Sequence, residues 1–246
     1  MRHNDLVETM RTTGGSERIL SERFHRNKDL IDQSRLKRIT VIGLGAIGSE
    51  IIAQLTIMGF EEIHLWDNDK LELHNLSSTK YPEEELGNQK VTAAANQIHR
   101  YNSNVRRVQH PERFIEGCEL TPITIVCTDD MGSRKTVYNE WSRLPNKELL
   151  IDVRMDSLTT QLITTTKYDD NYMNYWISSS SIEDAVCTMK HTIFCSALAA
   201  GHVVKQLFLV LMGHPYFLYE WHCFNPTSSE TKEYIIPPIK EKNNEA

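Results

Sequence analysis

Apolar positions fall into short runs separated by polar, helix-compatible spans. Ile39, Val41 and Ile42 form the first run, and Ile63, Leu65 and Trp66 the second, with Ser49 to Leu55 between them reading as a helix. Lys90 opens a span to about Tyr101 in which Val91, Ala94, Ala95 and Ile98 recur at helical spacing. Val105 to Val108 predicts a short strand, and Thr124 to Cys127 a clearer one. A helix from Ser133 to Arg143 and a strand from Leu149 to Asp152 complete a βαβ succession. This order predicts an α/β fold, a Rossmann-like, doubly wound, mostly parallel sheet with flanking helices. After Arg154 the pattern changes: Thr159 to Thr166 alternates, and Tyr216 to Phe224 alternates again, which predicts a β-rich C-terminal part. Tyr168 to Ser181 reads as a loop or crossover.

Predicted organisation is an N-terminal helical segment at 1–36, one domain at 37–239 and a charged tail at 240–246. The domain divides into a first half at about 37–153 and a β-rich, long-helix half at about 154–239. The apolar stretch Thr192 to Gly213 carries His202, Lys205 and Gln206 near its middle, where lipid would make them costly, so it is read as a buried helix and no membrane partner is expected.

The connection between the first two strands changes the picture. Gly43-Leu44-Gly45-Ala46-Ile47-Gly48 sits between a strand and a helix, where bare glycines let the backbone approach a phosphate and the helix start offers unpaired N–H groups to an anion. The second strand ends in Asp67-Asn68-Asp69, with Asp67 24 positions after Gly43, about where a dinucleotide site places its ribose-binding acid. On these residues alone, an NAD(P)-dependent oxidoreductase and an ATP-using enzyme fit equally.

Four further stretches separate them. Asp67 to Leu76, Leu86-Gly87-Asn88-Gln89-Lys90-Val91, Val126-Cys127-Thr128-Asp129-Asp130 and Arg134 together resemble the ThiF, MoeB and ubiquitin-activating-enzyme family, over about Arg23 to Gly213. The resemblance implies ATP-dependent adenylation of a carboxylate, with ATP and Mg²⁺ required, and a small ubiquitin-like protein or peptide as substrate. It also implies a homodimer, with the long apolar helix near its interface. Lys90 would then face the phosphates, Asp129 would hold Mg²⁺, and Arg26 would reach the γ-phosphate. Gly43, Gly45, Gly48, Asp67, Asp69, Asn75, Lys90 and Arg134 would bind the nucleotide.

Two features depart from, or add to, this pattern. Most relatives have an arginine where Ser78 stands, and a serine cannot supply its charge. Lys80 and Arg134 are candidate replacements. Some short ThiF-domain proteins share the arginine-free form together with a segment like Ile151 to Met155, which makes Arg154 a site candidate without an assigned role. Ala185 to Thr192 resembles the segment around the thioester-forming cysteine of ubiquitin-like-protein activating enzymes. Cys187 is therefore a candidate nucleophile, with Lys190 and His191 nearby to favour the thiolate; a buried structural thiol is the plain alternative.

Composition narrows partners and cofactors. The 246 residues carry a net charge of −6, which makes a nucleic-acid partner an unfavoured reading. The five cysteines form no C-x-x-C pair, so no zinc is expected, and the odd count without a secretion signal predicts a cytoplasmic protein. The ten histidines show no H-x-x-x-H or H-E-x-x-H pattern. Left open are a nucleotide-binding but inactive scaffold, which Ser78 would suit, and action on a tRNA base.

Overall fold

The computed structural model describes residues 22–156, 158–175, 192–225 and 228–236. The chain divides into two compact units, Met1–Leu36 and Lys37–Ala246. In the first, the described residues run from a helix end at Glu22–Arg23 through turns to a short 3-10 turn at Gln33–Arg35, and most of the expected helical segment lies outside the described residues. Asp32 caps that turn, its carboxylate accepting the Ser34 N–H at 2.9 Å; such local side-chain bonds compete with helix extension.

The second unit is built on one sheet whose described strands run β3-β2-β1-β4-β5-β6-β7-β8. β1 (Arg38–Ile42), β2 (Glu62–Trp66), β3 (Arg106–His110), β4 (Ile123–Val126) and the start of β5 (Leu149–Asp156) are parallel. β1 and β4 are buried nearly throughout, as strands covered on both faces must be, which explains their unbroken apolar runs. From β5 onward, β6 (Thr159–Thr166), β7 (Tyr216–Asn225) and β8 (Ser228–Ile236) pair antiparallel. The alternating threonine segment is β6 in full.

Four helices cover this sheet: α1 (Ala46–Met58), α2 (Lys90–Tyr101), α3 (Met131–Arg143) and α4 (Ile193–Leu211). A single helical turn spans Tyr172–Tyr175. Helix α1 packs against both α2 and α4 and buries ten of its residues, then stops at Gly59, whose φ of +118° favours glycine. Right-handed crossovers put α1 and α2 on one face and α3 on the other. There Ile42, Trp66, Val126, Val137, Trp141 and Leu150 form a continuous core. Among the described helices, α4 alone is long and apolar enough to cross a membrane. It packs instead against α1, β5, β6 and β7, and buries Ser196 and Gln206 within the domain.

Candidate nucleotide-binding site

Strand order reverses between β1 and β4: the chain winds away through β2 and β3 on one side and through β5 on the other. In such a sheet the crevice outside the carboxyl ends of the two central strands is where ligands bind. The glycine turn lies there. Gly43 has φ +89° and donates its N–H to the Trp66 carbonyl at 2.9 Å, and a Cβ on it would lie 2.8 Å from the Cys127–Thr128 peptide at the end of β4. A Cβ on Gly48 would lie 2.1 Å from the Gly43 carbonyl oxygen, so the third glycine lets α1 settle onto the turn. Gly45 differs, because nothing lies within 4 Å of where its Cβ would be. It is the N-cap of α1 and makes no side-chain cap, so the helix start borders open space. Two glycines serve packing; the middle one borders open space at a helix start without a side-chain cap, the kind of place where an anion binds.

Asp67 braces the turn. Its Oδ2 accepts the Leu44 N–H at 2.7 Å and its Oδ1 the Asp69 N–H at 2.8 Å. Burial pushes its carboxyl pKa up, against the pull of Lys90 and these two backbone bonds. The Tyr81 hydroxyl donates to the Leu44 carbonyl at 3.0 Å from the other side of the same residue. Lys90, first residue of α2, is only 8% exposed, which excludes a solvated surface lysine. Its ammonium donates to Asp69 Oδ2 at 2.8 Å and its backbone N–H to the Asp69 carbonyl at 2.9 Å. The structure thus brings Gly43, Gly45, Gly48, Asp67, Asp69 and Lys90 into one constellation.

At the end of β4 the two consecutive acids divide. Asp130 caps α3, accepting the Gly132 and Ser133 N–H groups at 3.2 and 2.8 Å, and pairs with Arg113 at 2.6 Å. Bonds from the Ser133 hydroxyl and these cap donors hold its carboxyl below the usual range, against a smaller opposing effect of burial. Asp129 is exposed and makes no hydrogen bond or ion pair among the described residues. Its oxygens are available to a hard cation, and Mg²⁺ characteristically takes one or two carboxylates plus substrate phosphates, so this donor fits the ion the family implies.

Other expected residues are engaged in their own contacts or exposed. Asn75 accepts the Glu72 N–H at 2.9 Å and so caps the short 3-10 turn Leu73–Ser77. Ser78 is buried, and its hydroxyl lies 3.4 Å from the Asn75 carbonyl. Lys80 pairs with the buried Glu50 at 2.9 Å. The Arg134 guanidinium is committed inside the protein to Asp152, to the Val153 carbonyl at 3.0 Å and to the Thr128 carbonyl. Asp152 also receives Arg154 at 2.8 Å and the Tyr172 hydroxyl at 2.8 Å, so Arg154 belongs to the same buried network. Arg26 is exposed in the N-terminal unit. Cys187, Lys190 and His191 lie outside the described residues.

Sequence reasoning missed Arg113. It sits in a loop without a motif, yet its guanidinium lies on Asp130 and on the Ser133 hydroxyl, one residue from Asp129. It lines a cleft of about 360 Å³ with Phe114, Asp130, Ser133 and Glu140.

A glycine turn at the switch point, an acid bracing it and an uncapped helix start are the parts of a Rossmann-type α/β domain. The model of the ThiF family matches residues 18–243, and the chain belongs to that family. It is 31% identical over 123 residues to ubiquitin-like modifier-activating enzyme 5 of Drosophila ananassae, covering 43% of this chain and 31% of that protein. To the Bombyx mori enzyme of the same name it is 26% identical over 132 residues, covering 47% and 34%. These matches span about a third of the relatives' length. Among solved structures, Escherichia coli MccB with MccA-N7isoASN aligns at TM-score 0.70 and 15% identity, over 88% of this chain and 72% of that one. PaaA aligns at TM-score 0.67 and 17% identity, over 95% and 82%. MccB with ATP aligns at TM-score 0.63 and 15% identity, over 84% and 66%.

Proposed function

We propose that this chain adenylates a carboxylate with ATP. An oxygen of the acceptor carboxylate attacks the α-phosphorus, the bond to the pyrophosphate oxygen breaks, and an acyl-AMP anhydride and pyrophosphate result. The observation that carries the reading is Lys90, a lysine buried at the start of α2 and paired with Asp69, beside a glycine turn whose middle glycine borders open space. Such a reaction crowds negative charge, and fixed cations and backbone donors stabilise it without reorganising as it proceeds. ThiF membership, and the crystallisation of the structural relative MccB with ATP, support the choice of nucleotide.

In this reading Gly45 and the first N–H groups of α1 bind phosphate, Asp67 fixes the turn, Lys90 neutralises phosphate charge and Asp129 holds Mg²⁺. The ion, when bound, would offset charge on the phosphate oxygens. Arg134 holds the Thr128 carbonyl and thereby positions the residue after it, Asp129. The acceptor would be the carboxyl terminus of a small ubiquitin-like protein or peptide, which the names of the relatives support. Cys187 would then take the acyl group as a thioester with loss of AMP. A second copy of the chain would cover Ile193, Phe194 and Leu198, which α4 leaves between 42% and 49% exposed.

Exchange of radiolabelled pyrophosphate into ATP, with acceptor peptides supplied, tests this. Asp129→Ala abolishes exchange and Lys90→Ala reduces it, while Cys187→Ala keeps exchange and loses the reductant-sensitive acyl adduct. Exchange undiminished in both of the first two variants refutes the residue assignments. Thermal stabilisation by NAD(P) but not by ATP with Mg²⁺ would return the oxidoreductase reading.

A further inference from the structure

Away from the crevice, α4 and β7 bring two histidines onto one carboxylate. Glu220 is fully buried, and Oε2 of its carboxylate lies 3.2 Å from His202 Nδ1 and 3.1 Å from His222 Nε2. The Lys205 ammonium sits 2.8 Å from the same oxygen. The donor atoms of His202, Glu220 and His222 all lie within 4.8 Å of one another. A carboxylate oxygen has about two lone pairs, so three nitrogen groups around Oε2 are more than it can accept as separate hydrogen bonds. Two imidazoles and an ammonium therefore crowd one carboxylate oxygen.

That arrangement suits a metal ion. A tetrahedral Zn²⁺ with bonds of about 2.0 Å sets its ligand atoms roughly 3.3 Å apart, close to the two nitrogen–oxygen separations seen here. Imidazole and carboxylate are donors that Zn²⁺ accepts together. The surroundings include the orienting contacts such sites need. Gln206 donates to the other carboxylate oxygen, Oε1, and its own carbonyl accepts the Phe217 N–H at 3.1 Å, which fixes both the amide and the carboxylate. The His202 side chain, 25% exposed, gives an approach from solvent. Lys205 is 36% exposed at its side chain, so its ammonium can swing out when a cation arrives.

We propose that His202, Glu220 and His222 form a binding site for a divalent transition metal, Zn²⁺ foremost, which ties α4 to β7. Lys205 occupies the cation's place when the metal is absent. No local sequence pattern marks this site: its ligands sit on a helix and a strand, with His202 and Glu220 18 residues apart, and the legible trace is Glu220 and His222 alternating onto one strand face.

The test uses the full chain stripped by a chelator and titrated with Co²⁺ as the spectroscopic probe, then with Zn²⁺. One equivalent of Co²⁺ binds with a visible ligand-field spectrum and no thiolate charge-transfer band, Zn²⁺ displaces it, and the thermal midpoint rises. His202→Ala, partly exposed and checked for folding by circular dichroism, weakens binding at least about a hundredfold. Lys205→Met tightens it about tenfold, because a competing charge is gone. Absence of saturable binding, a thiolate band, or affinity unchanged in both variants overturns the proposal.

Discussion

The parallel and antiparallel halves of the sheet treat polar groups in opposite ways. Where β1 and β4 end, polar groups stay open: the α1 start is uncapped, Gly45 faces a gap, and Asp129 makes no hydrogen bond or ion pair among the described residues. In β5 to β7 the charges close on one another, as Asp152 with Arg134, Arg154 and Tyr172, and as Glu220 with His202, Lys205, Gln206 and His222. The first half is prepared for a ligand at some cost in satisfied groups. The second is a brace, and it reaches the first through the Arg134 bond to the Thr128 carbonyl.

Variants in the two halves should therefore fail differently. The largest stability loss is expected from Asp152→Ala, which leaves the Arg134 guanidinium buried beside Arg154 without a counter-charge, at about 3–5 kcal/mol in urea unfolding. If that cost is below 1 kcal/mol, Asp152 is no keystone. Asp129→Ala should show the reverse pattern. Pyrophosphate exchange falls by about a hundredfold or more, while the unfolding midpoint moves little, since the carboxylate makes no hydrogen bond or ion pair among the described residues.

This contrast also explains what was legible in the sequence. Strand β1, the glycine turn, Asp67, Lys90 opening α2, alternating β6 and the long apolar helix could all be read, because each depends on local periodicity or on a motif with a fixed spacing. The burial of Arg134 could not. Its partner Asp152 lies 18 residues on, and only the pairing of β4 with β5 brings the two together. Lys80 is one of two candidate replacements for the arginine absent at Ser78, and its place on Glu50 follows from a contact 30 residues away in the chain.

Two smaller effects sharpen the comparison. Gly43→Ala forces a side chain into positive φ and against the Cys127–Thr128 peptide, and should cost about 1–3 kcal/mol while also weakening ATP binding. Calorimetric unfolding with and without ATP separates the two losses. In the brace, burial and the hydroxyl's bond to Asp170 raise the Tyr138 pKa from 10.0 to about 12. A raised pKa means that the native state holds its proton more tightly. The stability this gives is complete below pH 10 and lost as pH climbs towards 12. Tyr138→Phe should lose less stability than the parent across that window; equal alkaline slopes would deny the effect.

The central claim is that a triphosphate rests on the open start of α1. A crystal structure with a non-hydrolysable ATP analogue and Mg²⁺ tests it most directly. The account predicts phosphate oxygens on the backbone N–H groups beside Gly45, Lys90 Nζ turned from Asp69 onto phosphate, and Mg²⁺ on Asp129. Nucleotide bound elsewhere, or bound there with Lys90 and Asp129 untouched, would contradict it.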